Sequence, residues 1–240
     1  MLGGQPPIAR NRATAATQGR IATIKRATAV ARSSLCPEIR LRRNTDFEQI
    51  WARQAAVSGP ASLAPPYWAH PWPGGEALAR YLLDHPGITR NRRVLDIGSG
   101  SGICAIAAAL AGAGVVEAVD ADPWAVDAIA VNAKLNRVRI SARLAGFAQG
   151  RDAHDIVLAA DLWYERFLAQ SVTAHLLALA RQGVTVLLAD SNRAHFPRAQ
   201  VECVAAYVVD GRSVFEPDGP VVGRVFVVRG AGRPAHAGES

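Results

Sequence analysis

The chain has 240 residues, of which half are hydrophobic and a fifth are charged, so its composition excludes general disorder and can supply a buried core. Its three cysteines form no CxxC pair and its six histidines show no metal-ligand spacing, so we predict neither a metal site nor a disulfide framework. Six of the 27 basic residues lie within residues 1–37, which contain no acidic residue, so the net charge of +7 belongs mainly to that segment. The nearly neutral remainder argues against a large nucleic-acid-binding face.

The amino-terminal third divides into two segments. Residues 1–34 are rich in Ala, Thr and Arg and are predicted to form a disordered basic tail, with a mitochondrial targeting peptide as the alternative. Residues 35–90 are predicted to form a helical, aromatic-rich extension that packs on the core, with a proline-rich stretch before a helix over Glu76–Leu83. No apolar run reaches the ~18 residues of a membrane span. We therefore expect a soluble protein with no membrane partner, located in the cytoplasm, or in the mitochondrial matrix if the source is eukaryotic.

Residues 91–230 alternate short β-branched runs with helical stretches, which is typical of βαβ units and a parallel sheet. The predicted strands are Arg93–Ile97, Val115–Val119, Val138–Arg143, Ile156–Ala159, Val184–Ala189, Tyr207–Arg212 and Val221–Arg229. The predicted helices are Gly102–Ala111, Pro123–Leu135, Tyr164–Ala180 and Arg198–Ala205. The last two strands are too close for a crossover helix, so one of them must run antiparallel. Residues 231–240 are predicted to be a flexible carboxyl terminus.

A glycine-rich loop follows the first of these strands, with glycine at every second position from Gly98 to Gly102. Such a loop lets a ligand approach the backbone and directs the free N–H groups of the next helix at it. The spacing is GxGxG and not the GxGxxG of dinucleotide-binding proteins. Asp96, just before the loop, suits a ligand that carries a positive charge. A plain tight turn is the alternative.

A second acidic residue, Asp120, ends the next predicted strand, where a carboxylate can accept the hydroxyls of a ribose. The alternative is a helix cap, for which Asp122, directly before Pro123, is better placed. An ammonium end and a ribose together fit S-adenosylmethionine better than NAD.

These residues resemble the first two motifs of class I S-adenosylmethionine-dependent methyltransferases. The resemblance implies an α/β, Rossmann-like sheet of seven strands, mostly parallel with an antiparallel last strand and with helices on both faces. It implies S-adenosyl-L-methionine as the cofactor. The cofactor-binding residues that it implies are Trp72, Asp96, Gly98, Ser99, Gly100, Gly102 and Asp120. For Trp72 the alternative is that it packs the amino-terminal segment on the sheet together with Trp68.

Two further segments narrow the resemblance. Pro66–Gly75 is similar to the protein-lysine methyltransferases that act on the electron transfer flavoprotein β subunit, and Asp161-Leu162-Trp163-Tyr164 is similar to the Asp-x-x-Tyr motif of seven-strand lysine methyltransferases. The resemblance implies Asp161 and Tyr164 as catalytic residues that orient a lysine amine, and the flavoprotein β subunit as the protein substrate. A helix cap for Asp161 and simple packing for Tyr164 are the alternatives. Residues 144–149 lack the acid that many methyltransferases place near adenine, and residues 190–197 match the family only partly.

Other functions stay open at this stage. Methylation of ribosomal protein L11 or of a small amine uses similar motifs, and a cofactor-binding module without turnover would explain the altered segments after the third and fifth strands. Leu162 and Trp163 replace the two prolines that nucleic-acid N6-adenine methyltransferases carry, so we expect no nucleic-acid substrate. We further expect the protein to be a monomer.

Overall fold

The computed structural model describes residues 7–58, 64–148, 154–210 and 219–229. Its helices and strands follow in chain order as α1 (Pro7–Ala27), β1 (Thr28–Arg32), β2 (Arg40–Asn44), α2 (Phe47–Ser58), α3 (Pro73–Asp84), β3 (Arg93–Ile97), α4 (Ile103–Leu110), β4 (Val115–Asp120), α5 (Pro123–Leu135), β5 (Ser141–Leu144), β6 (Ile156–Ala160), α6 (Arg166–Arg181), β7 (Thr185–Asp190), β8 (Val201–Asp210) and β9 (Pro220–Val228). The segment predicted to be a flexible carboxyl terminus, residues 231–240, lies outside the described residues.

The central sheet has seven strands in the order β5-β4-β3-β6-β7-β9-β8. Neighbouring strands from β5 to β7 are parallel, whereas β9 runs antiparallel to both β7 and β8. Among the described strands, β9 therefore lies between β7 and β8, which both precede it in the chain. The predicted seven-stranded, mostly parallel sheet with an antiparallel last strand is confirmed.

Helices cover both faces of this sheet because its strands are apolar on both sides, as expected for buried parallel strands. Leu158 and Leu187 belong to the core cluster that includes residues of α3, α4 and α5. Their neighbours Val157 and Val186 belong to the opposite cluster, with residues of α6. Helix α3 lies within the segment 35–90 that the sequence predicts to be an extension, and it belongs to the helical layer on one face of the sheet.

The segment over Arg198–Ala205, predicted to be a helix, is the clearest local error. Arg198–Gln200 forms one 3₁₀ turn and β8 begins at Val201. Strand β9 pairs with β7 along one edge. Along its other edge it pairs with β8 in a long antiparallel register, with an irregularity between Cys203 and Ala205. Long-range pairing outweighs the weak helix propensity of this segment.

The predicted disordered tail over residues 1–34 is also corrected for its described part, because α1 and β1 lie within it; residues 1–6 lie outside the described residues. Strand β1 pairs antiparallel with β2, and the carboxyl-terminal half of α1 packs on the body of the protein. Ile24 is fully buried in a cluster with Trp68 and Trp124, and Arg20 Nε lies 2.6 Å from Asp127 Oδ2 on α5. A helix whose apolar residues are few and mostly alanine gives a weak periodic signal, so only the tertiary contacts reveal that it is ordered.

These contacts predict that the amino-terminal segment contributes to stability. Ile24→Ala should lower the free energy of unfolding by ~2–5 kcal/mol, because the change removes buried methyl groups from a packed cluster. Denaturant unfolding measures the effect. Val30→Ala is the matched control, because Val30 on β1 is 47% exposed and should change stability by less than about 0.5 kcal/mol. Equal stabilities for the Ile24 variant and the wild type would mean that α1 does not pack as described.

Candidate active site

Three acidic residues singled out by the sequence gather at one edge of the sheet together with Asp190, which the sequence did not single out. Strands β3, β4, β6 and β7 are parallel, so their carboxyl ends meet at the same edge, where ligands bind in open α/β sheets. Asp96 lies near the end of β3 and Asp120 ends β4. Asp161 follows β6, and Asp190 ends β7. Four acidic side chains from separate parts of the chain therefore share this edge.

The glycine loop between β3 and α4 needs its glycines for backbone geometry. Gly98, Gly100 and Gly102 all have positive φ, at 59°, 53° and 83°, which residues with a Cβ rarely adopt. A Cβ on Gly98 would come within 2.4 Å of Leu162, so the loop packs directly against the segment after β6. A Cβ on Gly100 would meet nothing closer than 4.0 Å, which leaves open space on that side of the loop.

The Asp96 carboxylate, near the end of β3, holds this loop by hydrogen bonds. It accepts hydrogen bonds from Ser99 Oγ at 2.5 Å and from the Ala105 N–H at 3.2 Å. Burial raises the pKa of Asp96 to about 7, an effect that the hydrogen bonds oppose and the charge of Asp120 reinforces. A cation bound nearby would favour the ionised form of this carboxylate.

Asp120 holds the loop from the neighbouring strand. Its Oδ2 accepts from the Gly100 N–H and its Oδ1 from the Asp122 N–H, both at 2.9 Å. Asp122 is the cap of α5, because its Oδ1 accepts from the Trp124 N–H. The helix-cap alternative for Asp120 is therefore excluded. Each oxygen of an ionised carboxylate has two acceptor positions, so Asp120 retains capacity for ligand hydroxyls.

Asp161 is tied to the start of α3. Its Oδ2 accepts from the Gly75 N–H at 2.9 Å, and a Cβ on Gly74 would lie 2.6 Å from the same oxygen. Only glycine at position 74 permits this approach. The cap of α6 is Glu165, whose carboxylate accepts from the N–H groups of the first turn, so Asp161 is not the cap of that helix. Asp161 instead stabilises the positive end of α3 and fixes its position at the sheet edge.

The second oxygen of Asp161 faces the loop after β7. Asp161 Oδ1 is 3.5 Å from Ser191 Oγ and 3.6 Å from Arg193 Nε. Asp161 itself has a positive φ of 57°, unusual for a residue other than glycine. Strain of this kind, held by contacts on both oxygens, is typical of functional sites.

An aromatic surface lies beside these carboxylates. Trp72 precedes α3, and its indole N–H donates to the Tyr67 carbonyl at 3.1 Å. The Tyr67 ring lies 5.7 Å from that of Trp72 and 5.6 Å from that of Tyr164. Tyr164 stands before α6 and is 51% exposed, so about half of its surface is accessible to a ligand. Partial desolvation, followed by the neighbouring Tyr67, raises the pKa of Tyr164, so its hydroxyl keeps its proton.

Trp72 and Trp68 have different surroundings. The sequence left open whether Trp72 contacts the cofactor or packs the amino-terminal segment on the sheet together with Trp68. Trp68 is buried and stacks on Trp124 at 6.2 Å, in the cluster that anchors α1. Trp72 contacts His70 at 4.9 Å and lies on the site side of the segment. Burial, followed by the charges of Arg43 and Arg193, lowers the pKa of His70 to about 4, so this imidazole is neutral.

Four residues of the site were not singled out from the sequence: Tyr67, Asp190, Ser191 and Arg193. The guanidinium of Arg193 lies over the ring of Trp72, 5.1 Å from its centroid. These residues lie in the site because the fold brings together segments that are far apart in the sequence. Asn192, which follows β7 closely and has a φ of 84°, is of a residue type common in turns and could have indicated a turn here.

Two classes of feature are not seen in the part of the chain that the structure describes. Within residues 7–58, 64–148, 154–210 and 219–229, no three His, Cys, Asp or Glu side chains are grouped as metal ligands would be. Over the same ranges, no helix combines the length and apolar character needed to cross a bilayer.

The sheet order, the antiparallel last strand and the glycine loop agree with the fold that the resemblance to class I methyltransferases implies. The family of ribosomal protein L11 methyltransferases matches residues 77–179. The sequence is also similar to the electron transfer flavoprotein β subunit lysine methyltransferase of Rattus norvegicus, with 40% identity over 168 residues. That alignment covers 68% of this chain and 64% of the rat protein, so the chain matches somewhat less than two thirds of that relative's length.

Two further relatives show how far the similarity extends. The electron transfer flavoprotein β subunit lysine methyltransferase homolog of Caenorhabditis elegans is 29% identical over 199 residues, which cover 76% of this chain and 80% of that protein. The ribosomal protein L11 methyltransferase of Geobacillus thermodenitrificans is 48% identical over only 64 residues, or 27% of this chain and 19% of that protein. The similarity to the lysine methyltransferases is therefore the more extensive of the two.

Proposed function

We propose that this protein is an S-adenosylmethionine-dependent protein-lysine N-methyltransferase whose substrate is the β subunit of electron transfer flavoprotein. The observation that carries the proposal is the 40% identity over 168 residues to an enzyme of that description. The site supports it, because an anionic cradle for a cofactor and an aromatic, partly open acceptor surface lie side by side at the sheet edge.

The residues at the glycine loop fit this cofactor. The open space beside Gly100 would let the cofactor approach the backbone of the loop. Asp96 would favour the ammonium group, and Asp120 would accept the ribose hydroxyls. When bound, S-adenosylmethionine supplies the methyl group on a positively charged sulfur.

The acceptor lysine must be neutral before it can accept a methyl group. A lysine with the ordinary pKa of ~10.4 needs roughly 4 kcal/mol to be neutral near pH 7.4. Desolvation of the amine on the surface formed by Trp72, Tyr67 and Tyr164 lowers that requirement. The protonated hydroxyl of Tyr164 and the Oδ1 atom of Asp161 then orient the amine, and proximity supplies the remaining rate enhancement.

The raised pKa of Asp96 predicts a pH-dependent affinity for the cofactor. With a pKa of about 7, Asp96 is mostly protonated at pH 6 and mostly ionised at pH 8, and only the ionised form attracts the ammonium group. The affinity for S-adenosylhomocysteine should therefore be about tenfold higher at pH 8 than at pH 6. Calorimetric titration at both pH values measures the ratio.

Two variants control this measurement. Asp96→Asn should bind more weakly at both pH values and lose the pH dependence. Asp122→Asn keeps the cap of α5 and should retain it. A pH dependence that persists in Asp96→Asn would assign the titration to another group and remove the proposed role of Asp96.

Methylation of ribosomal protein L11 is the second candidate, because the L11 methyltransferase family matches residues 77–179. Labelled S-adenosylmethionine offered with purified flavoprotein β subunit, L11 or a small amine distinguishes the candidates. We expect label in the β subunit at a kcat/KM at least about tenfold above the others. Preferential label in L11 or in the small amine would replace the proposed substrate. Cofactor binding without transfer to any acceptor would favour a regulatory module.

A monomeric state, the absence of a nucleic-acid partner and the cytoplasmic or mitochondrial location remain predictions from the sequence. Size-exclusion chromatography with light scattering tests the first. A nucleic-acid binding titration at several salt concentrations tests the second, because phosphate contacts give a steep salt dependence.

A further inference from the structure

Arg193 occupies the centre of the acceptor side of the site. It lies in the loop after β7, and its backbone N–H donates to Asp190 Oδ1 at 2.6 Å. Its Nε atom is 3.6 Å from Asp161 Oδ1 and 3.8 Å from Asp190 Oδ2. Its guanidinium also covers the ring of Trp72. One side chain therefore joins the loop after β7, the segment after β6 and the residue that precedes α3.

Arg193 compensates one of the two nearly buried carboxylate charges in this cluster. The side chains of Asp161 and Asp190 are 3% and 1% exposed, so water screens them little. Two nearly buried carboxylates with one guanidinium leave at most one uncompensated negative charge, and burial raises the pKa of Asp190, which reduces it further. Removing the guanidinium would leave two carboxylates beside the acceptor surface.

Uncompensated carboxylates at this place would work against methyl transfer. A negative charge within ~4–6 Å stabilises an ammonium group and raises its pKa, whereas a positive charge favours the neutral amine. If Asp161 were left without its cationic neighbour, it would hold an incoming lysine in the protonated form, which has no lone pair to donate. Arg193 is positioned to prevent this.

We propose that Arg193 is a positioning residue of the acceptor site, which aligns Trp72 and Asp161 and whose positive charge keeps the acceptor lysine neutral. The inference rests on the proposed function, because it concerns the amine that this function methylates. Arg193 acts through its neighbours and through its charge and takes no proton itself, since guanidinium groups stay charged at all relevant pH values.

The other charged and titratable groups facing this region come from four elements. The segment before α3 contributes Tyr67 and the neutral His70, and β2 contributes Arg43. Strand β4 ends in Asp120, and Tyr164 and Glu165 lie just before α6. Arg198 is close enough to Asp190 to influence it, and its Nη2 atom donates to Asn192 Oδ1 at 2.6 Å. Among these groups, Arg193 is the cation that contacts Asp161 and Trp72 together.

The test compares the pH dependence of kcat for the wild type with that of Arg193→Met, Arg193→Lys and Arg198→Met. The dependence of kcat on pH reports the pKa of groups in the enzyme–substrate complex, here the bound lysine. Arg193→Met keeps the apolar stem and removes the charge, so its apparent pKa should rise by about one unit and its kcat at pH 7.4 should fall about tenfold. Arg193→Lys keeps a charge and should restore the apparent pKa to near the wild-type value.

Arg198→Met is the matched control, because it loosens the same loop without removing the charge beside Asp161. It should leave the apparent pKa unchanged. Affinity for S-adenosylhomocysteine should stay within threefold in all three variants, and melting temperatures establish that each is folded. If Arg193→Met lowers only stability, or lowers kcat equally at every pH, the charge-based role is wrong.

Failure of the inference about Arg193 can be distinguished from failure of the proposed function. If the wild type methylates no lysine, the proposed function is wrong and the inference about Arg193 falls with it. If the wild type methylates lysine and the profiles of wild type and Arg193→Met coincide, only the inference about Arg193 is overturned.

Discussion

Replacement of Asp96 or Asp120 by alanine is expected to lower the affinity for S-adenosylhomocysteine by about 100-fold or more. Each carboxylate accepts two hydrogen bonds that shape the glycine loop, and each is assigned to a polar group of the cofactor. Loss of hydrogen bonds to a charged group corresponds to ~1.5–3 kcal/mol apiece. Calorimetric titration of each variant against the wild type measures the effect.

Asp122→Ala is the matched control for these variants. It removes a carboxylate two residues from Asp120 that caps α5 and has no assigned ligand. We expect it to lower stability by about 1 kcal/mol and to leave the affinity within threefold of wild type. Wild-type affinity in both Asp96→Ala and Asp120→Ala would remove the cofactor site from this edge of the sheet.

Asp161→Asn and Tyr164→Phe should separate catalysis from cofactor binding. Both should keep the affinity for S-adenosylhomocysteine within a few-fold and lower the single-turnover rate of methyl transfer by about 100-fold, because an orienting contact to the amine is lost. Asparagine retains an oxygen to accept the Gly75 N–H and so preserves the start of α3. Asp161→Ala removes this contact as well, and should additionally lower the melting temperature.

The control for this pair is Glu165→Ala, which removes the true cap of α6. It should lose about 1 kcal/mol of stability while the rate per folded molecule is unchanged. If the rates of Asp161→Asn and Tyr164→Phe also follow only the folded fraction, neither residue orients the acceptor. The acceptor site would then be sought at Trp72 and in the loop after Asp190.

The glycine loop and its two carboxylates could be predicted because their signals are local. A strand, an acidic residue and alternating glycines lie within a few positions of one another, and the left-handed geometry of Gly98, Gly100 and Gly102 follows from residue type. The assignment of the α5 cap to Asp122 had the same basis. Such features depend little on the rest of the fold.

The acceptor side was only partly predictable because it is built from long-range contacts. Asp161 was identified by its motif, but its bond to Gly75 depends on how α3 meets the end of β6. The sequence did not indicate a role for Arg193, because that role depends on contacts with Asp161 and Trp72, which lie in other segments of the chain. The errors at α1 and β8 have the same origin, because tertiary packing of Ile24 and pairing with β9 outweighed local sequence preference.

The most direct test of the central claim is mass analysis of purified electron transfer flavoprotein β subunit after incubation with this protein and S-adenosylmethionine. Our account predicts that the intact mass rises in methyl increments, that peptide mapping places the methyl groups on lysine, and that Asp96→Ala gives no increase. An unmodified β subunit in the presence of folded, cofactor-binding wild-type protein would contradict the account, as would methylation at a residue other than lysine.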